Sequence, residues 1–383
     1  MIVIADDITG AAEIAGIAFS QGQQVRLACG SPVCGCTAAT NQTTVIATDT
    51  RSMSEAEAIA ETCRITKYPL GARPSPRLTG VLPCVIFKKT DSALRGHVVA
   101  ELTALMEATG YRRAVYLPAN PSKGRIIRNG IYYINNVPIH ETDFSFDPEF
   151  PATTSVMKER FPDAEHKGIL MPDAVSEEDI RRVIATYNDG KTLFAGAADL
   201  FSALLKNDGD GSSTKDRNVA SQSDSPLFKE KRITQNNPHD STLILCGSTQ
   251  SKPLDWGIPV APMPREIYDG SDDLSLWDTS AYSEAHSLIL TMPYNHRTGK
   301  EAAVHLRTIM AEMTKRLVAE HCPHHLMIEG GATAWATLQA LGWMAFTITA
   351  QVAPGVVQMS ATNGTLVTLK PGSYPWGLFY SAG

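Results

Sequence analysis

The sequence predicts an α/β protein with two α/β domains and mainly parallel sheets, the N-terminal one carrying an antiparallel hairpin insert. Three observations predict it. Short apolar runs of strand length alternate with stretches of helical spacing, the rhythm of βαβ units. Three brief runs around Asn129-Gly130 and Asn135-Asn136 carry hairpin chemistry instead. The rhythm breaks over residues 207–240, a polar stretch nearly free of large apolar side chains. At 383 residues two domains are the default, so the expected division is 1–206, a flexible linker over 207–240, and 241–383.

The rest of the chain is organised around MIVIADDITGAAEIAGIAFSQG, residues 1–22. Ile2 to Ala5 reads as a buried parallel strand, and Thr9-Gly10 open a helix that Gly22 closes. The turn between them places Asp6, Asp7 and Thr9 at the carboxyl end of a strand, where open α/β sheets bind ligands. An N-cap needs one side chain, so two adjacent acids exceed what capping requires.

Val25–Ala28 and Thr44–Ala47 read as the next strands. After the second comes Arg51, then Ser54 and Glu57 in capping-box spacing. A cation is disfavoured near a helix start, which points Arg51 towards anion binding. The strand predicted over 81–87 ends in Lys88-Lys89-Thr90-Asp91-Ser92-Ala93-Leu94-Arg95-Gly96, the densest polar cluster in the chain, ahead of a helix to Thr109. Cations at a helix N-terminus make an anion site. Ala114–Leu117 is a strand. The insert then begins with Gly124 and Arg125, followed by a polar tail over 140–148.

A capped helix starts at Ser176, Thr192–Ala195 is a strand, and a helix runs from Gly196 to Lys206. The second half repeats the theme. Thr242–Cys246 is a strand ending in Gly247-Ser248-Thr249. Residues 252–285 read as irregular, Ser287–Thr291 as a strand, and 299–321 as a long helix that suits a homo-oligomer interface as readily as the core. His325–Ile328 is a strand ending in Glu329-Gly330-Gly331-Ala332-Thr333, then a helix over 334–341. Strands follow at 344–348 and 365–369, with a turn at Pro354-Gly355 between them. Lys370-Pro371-Gly372 comes last. The Gly330-Gly331 pair lets backbone amides approach a phosphate closely, and Ser248 and Gly372 stand at neighbouring strand ends.

The net charge is −6 and there is no Lys/Arg-rich tract, which argues against nucleic acid. No apolar run is long enough for a membrane span, and no signal-peptide pattern opens the chain, so a cytoplasmic protein is expected. The seven cysteines are odd in number and lack C-x-x-C spacing, so no structural metal is expected.

Asp6-Asp7-Ile8-Thr9-Gly10-Ala11, the Lys88–Gly96 cluster and the Pro118/Gly124-Arg125 segment with its hairpin resemble the four-carbon acid sugar kinases. Gly247-Ser248, Gly330-Gly331-x-Thr333, Pro354-Gly355 and Lys370-x-Gly372 follow in the order of that family's nucleotide elements. Ala332 stands where the family carries an acid, and Gln250 where it carries a serine. The resemblance implies phosphorylation of a four-carbon sugar acid at its terminal hydroxyl by ATP with Mg²⁺. The site would lie between an N-terminal acid-sugar-binding domain and a C-terminal nucleotide-binding domain. It puts Arg51, Lys89 and Arg95 on the substrate carboxylate, with Asp6, Thr9, Lys88, Ser92 and Arg125 in the same pocket. Asp7 or Asp91 is the base. Ser248, Gly330, Gly331, Ala332, Thr333, Gly355, Lys370 and Gly372 would hold the nucleotide. The alternative is a non-catalytic sugar-acid-binding relative with a degraded ATP site. No Walker P-loop is present, and the adjacent acids lack the Asp-x-Asp spacing of a haloacid-dehalogenase-type phosphatase.

Overall fold

The computed structural model of the chain describes residues 1–30, 41–67, 85–147, 149–209, 241–248, 254–297, 299–372 and 374–376. Residues 31–40, the first part of the strand predicted over 81–87, the linker from 210, Thr249 and Gln250 lie outside those residues.

The N-terminal half runs β1 (Ile2–Ala5), α1 (Ile8–Ser20), β2 (Gln24–Cys29), β3 (Gln42–Ala47), α2 (Glu55–Thr66), β4 (Ile86–Lys89), α3 (Val98–Thr109) and β5 (Arg113–Leu117). The insert is β6 (Arg125–Arg128), β7 (Ile131–Ile134) and β8 (Val137–Pro138), followed by a 3-10 turn at Asp143–Phe146 and α4 (Met157–Arg160). Then come β9 (Ile169–Leu170), α5 (Glu177–Tyr187), β10 (Thr192–Gly196) and α6 (Ala198–Gly209). The C-terminal half runs β11 (Thr242–Cys246), β12 (Val260–Pro262), α7 (Arg265–Tyr268), α8 (Ala281–Ala285), β13 (Ser287–Thr291), α9 (Lys300–His321), β14 (His325–Glu329), α10 (Gly331–Leu341), β15 (Ala345–Ala353), β16 (Val356–Ala361) and β17 (Leu366–Lys370).

Among the described residues the strands form one 14-stranded sheet, β12-β13-β11-β14-β17-β16-β15-β2-β3-β1-β4-β10-β5-β9, and a three-stranded insert sheet. Every pairing from β2 to β9 is parallel, as is every pairing from β12 to β17 through β14. The two parallel halves join through the antiparallel strands β15 to β17, with β15 pairing against β2. The sequence suggests two separate sheets; hydrogen bonding across β15 and β2 makes them one. β16, directly after the turn at Pro354-Gly355, is a strand beyond those expected, and it pairs with β15 and β17. Residues 252–285, read as irregular, hold β12, α7 and α8.

The helix α1 sits at this junction. Its inward positions are alanine, isoleucine and glycine, all buried. Small side chains let β16 approach: a Cβ at Gly16 would lie 2.8 Å from Val357 Cγ2. Ser54 caps α2 in the predicted box with Glu57. No helix of the described residues is long and apolar enough to cross a membrane.

A histidine lies inside the C-terminal half. His325 is 6% exposed and bonds the Thr368 hydroxyl at 2.8 Å. Burial pushes its imidazole down to about 4. Its pKa in the unfolded chain is higher, so between the two values the unfolded state binds the extra proton. Stability is therefore expected to fall on acidification from about pH 6.5 towards pH 4, by at most roughly 3 kcal/mol from this group. Urea-unfolding midpoints across this range should show a shallower loss in His325→Leu than in the parent; equal slopes would refute this role.

Candidate active site

The carboxyl ends of β1, β3 and β4 carry the first group of residues. Arg51 is the hub. Its Nε and Nη2 bond Asp6 Oδ2 at 3.0 and 2.8 Å, and Nη2 stands 3.1 Å from Asp7 Oδ1 and 3.7 Å from Asp91 Oδ1. Arg51, expected on the substrate carboxylate, thus stands among three carboxylates of the chain itself and holds them together.

The three acids differ. Burial raises the Asp6 carboxyl above the usual range despite the pull of Arg51. Asp6 Oδ1 is buried without a hydrogen-bond partner among the described residues, an acceptor that a ligand hydroxyl would satisfy. Asp7 caps α1, accepting from the Gly10 amide at 2.9 Å and the Thr9 hydroxyl at 2.5 Å. Burial opposes its charge, but Arg51, Lys89 and Thr9 hold its carboxyl below the usual range. Asp91 is gripped hardest. Arg95 Nε and Nη2 fork its two oxygens at 2.8 and 3.0 Å, and the Ala93 amide donates at 3.0 Å. Burial is outweighed there by Arg51 and Arg95, which drive the carboxyl far below its ordinary range. These bonds also hold Leu94 at a left-handed φ of 63°, a conformation that costs roughly 1 kcal/mol or more.

Lys88 and Lys89 part company because successive residues of a strand face opposite sides. Lys89 Nζ bonds the Thr90 carbonyl at 2.9 Å on the α1 side. A Cβ on Gly10 would lie 3.2 Å from Lys89 Nζ and 2.6 Å from Asp7 Oδ1, so the ammonium stands beside that acid. Lys88 turns to the other side and pairs with Glu101 of α3 at 2.5 Å, both side chains almost fully buried. Thr50 donates to the same carboxylate at 2.8 Å. Lys88 is thus not among the groups brought together for a ligand, contrary to expectation.

Arg95 and Arg125 are both half-buried. Arg95 lies 5.8 Å and Arg125 5.7 Å from the centroid of the Phe144 ring. Arg125 bonds the Ser92 hydroxyl, and Asp147 stands 3.5 Å from Arg95. The insert and its tail thus cover the Lys88–Gly96 loop. Phe144 and Asp147 lie in the polar tail, and only folding brings them onto Arg95.

The second group gathers at the ends of β11, β14 and β17. Gly330, with φ of 98°, leads into α10, and its Cβ would lie 3.6 Å from the carbonyl carbon of Gly247. A Cβ at Gly372 would strike the Ser248 hydroxyl, and one at Gly247 would strike Thr333. Ser248, Gly330, Gly331, Thr333 and Gly372 therefore converge on one spot, with Ala332 exposed beside them. Two expected nucleotide contacts are engaged elsewhere. Lys370 pairs with Glu329 at 2.9 Å, both buried, and donates to the Tyr374 carbonyl at 2.6 Å. Gly355 sits under the Tyr374 ring, whose Cδ2 is 2.5 Å from where a Cβ would be.

The two groups touch. A Cβ at Gly331 would lie 3.0 Å from Thr9 Cγ2 and 3.7 Å from Asp7 Oδ2. The N-termini of α1 and α10 thus face one another, one edged with carboxylates and the other lined by glycine. A glycine-lined helix N-terminus suits the anionic phosphates of a nucleotide. Asp49 lies at the rim, where burial lifts its carboxyl to about 6 against the pull of Ser52 and of Arg307 from α9.

Comparisons with known proteins define the class first. A solved Salmonella typhimurium protein described as a tRNA synthase shares the fold with a TM-score of 0.70 at 19% identity, over 99% of this chain and 97% of its own. A Haemophilus influenzae protein from a family of unknown function does so with a TM-score of 0.66 at 19% identity, over 99% and 98%. The family models then match on both sides: a sugar-binding N-terminal domain over residues 1–163 and a nucleotide-binding C-terminal domain over 278–374. The chain belongs to the four-carbon acid sugar kinase family. It is similar to a 3-oxo-tetronate kinase of Brucella melitensis, 26% identical over 99% of this chain and 93% of that protein. It is also 28% identical to a D-threonate kinase of Salmonella typhimurium, over about half of each chain.

Proposed function

We propose that the protein is an ATP-dependent kinase acting on the terminal hydroxyl of a four-carbon sugar acid. Residues 1–206 would bind the acid and residues 241–383 the nucleotide. The observation that carries the reading is the contact of Gly331 with Thr9 and Asp7, which sets a phosphate-type helix N-terminus against a carboxylate cluster. Relatives named as threonate, erythronate and 3-oxo-tetronate kinases support the substrate class.

Arg95 and Arg125 hold the substrate carboxylate, and Asp6 Oδ1 accepts a carbinol hydroxyl. Asp7 accepts the proton of the terminal hydroxyl. It is chosen over Asp91 on position, because it borders Gly331 at the start of α10. Lys89 offsets charge on the passing phosphoryl group. The backbone around Gly331 and Gly372, with the Ser248 hydroxyl, forms the cradle; a Cβ would fill it at Gly372. ATP supplies the phosphoryl group when bound, and Mg²⁺ would enter on its phosphates.

A thermal-shift panel with Mg-ATP, D-threonate, D-erythronate and a 3-oxo-tetronate, singly and paired, tests this. A ligand at a hundred times its dissociation constant stabilises by roughly 2.7 kcal/mol. Shifts with Mg-ATP and with one acid, followed by acid-dependent ADP release, are expected. A shift with an acid alone would favour a sugar-acid-binding protein without kinase activity, and no shift with any acid would sink the substrate class.

A further inference from the structure

One cluster outside the ligand-facing groups ties the two halves together. Glu13 lies in the second turn of α1. One of its oxygens takes the Lys123 ammonium, and the other stands 3.7 Å from Lys89 Nζ. Lys123, just before the insert, also donates to the Tyr374 hydroxyl at 2.5 Å, with its ammonium 4.8 Å from that ring's centroid. Tyr374 belongs to the loop that follows β17. Its ring lies over Gly355, its carbonyl accepts from Lys370, and its amide donates to the Pro371 carbonyl at 3.1 Å. Burial opposes the charge on Glu13, but Lys89 and Lys123 outweigh it and hold the carboxyl ionised. One carboxylate therefore sets two ammonium groups. Lys89 faces the Asp7–Gly331 contact, and Lys123 faces the loop carrying Gly372.

We propose that Lys123 is a positioning residue that latches the loop bearing Gly372 and Tyr374 onto the sugar-acid side, with Glu13 fixing Lys123 and Lys89 in one register. The inference rests on the two-ligand reading above. Seating the nucleotide loop and aiming Lys89 become a single event, so binding of the acid and of the nucleotide is coupled.

Tyr374→Phe keeps the ring over Gly355 and removes the hydroxyl; Lys123→Met removes the ammonium and keeps the stem. In full-length protein without ligand, hydrogen exchange at residue 374 should speed up about tenfold in both variants, the factor one charge-assisted hydrogen bond confers, while β17 stays protected. In the parent, D-threonate should tighten binding of a non-hydrolysable ATP analogue several-fold, and either variant should lose that tightening. Unchanged exchange at residue 374 would overturn the latch whatever the nucleotide does. Faster exchange in the variants, with no analogue binding by the parent, would uphold the latch and overturn the kinase reading.

Discussion

Asp7→Asn should lower kcat by about 10²- to 10⁴-fold, the range spanned by positioned general bases. The amide oxygen of asparagine still accepts from the Gly10 amide, and its NH2 can donate to the Thr9 hydroxyl oxygen, so the cap on α1 survives and the fold should be unchanged. What disappears is the negative charge beside Gly331. KM for the sugar acid should therefore move far less than kcat. Asp91→Asn should show the opposite split. It loosens the fork that aims Arg95, so KM should rise more than kcat falls. Steady-state kinetics on D-threonate or the acid selected by the thermal panel would decide. Turnover near the parent's in Asp7→Asn would remove Asp7 from the proton-accepting role.

The largest stability effect should come from the pair that points away from the ligands. Lys88 and Glu101 meet at 2.5 Å and are 1% and 2% exposed. Removing one partner leaves a buried charge without compensation, at a cost of about 3–5 kcal/mol. Glu101→Gln and Lys88→Met should each lower the urea midpoint accordingly. The double variant Lys88→Met with Glu101→Leu replaces the pair with apolar volume and should recover most of the loss. Recovery of stability in the double variant would show that Lys88 serves the packing of α3 on β4. If Lys88→Met left stability intact and abolished turnover instead, Lys88 would return to the list of substrate ligands.

The alternation of strand and helix, the hairpin at Asn129-Gly130 and the cap at Ser54 were legible because each is local. Strand length, turn chemistry and capping are properties of a few consecutive residues. Strand-end clustering was legible for the same reason: Asp6, Asp7, Arg51, Asp91 and Gly330 each stand within four residues of the end of an apolar run, and parallel sheets put such ends on one edge.

Pairing was not legible. Lys88 and Lys89 are identical neighbours, and only the pleat of β4 sends one to Glu101 and the other towards Asp7. Lys370 reads as a free cation until Glu329, on the adjacent strand, is placed 2.9 Å away. Arg51 reads as an anion receptor until three carboxylates from two other strand ends surround it. Nor does the sequence announce that Lys123 and Tyr374, some 251 residues apart, share a hydrogen bond. Which groups stand at the carboxyl ends of the strands follows from the order of the residues alone. Tertiary structure decided which of their charges cancel one another and which remain for a ligand, because a charge's role depends on its nearest counter-charge, and that neighbour is set by the register between strands.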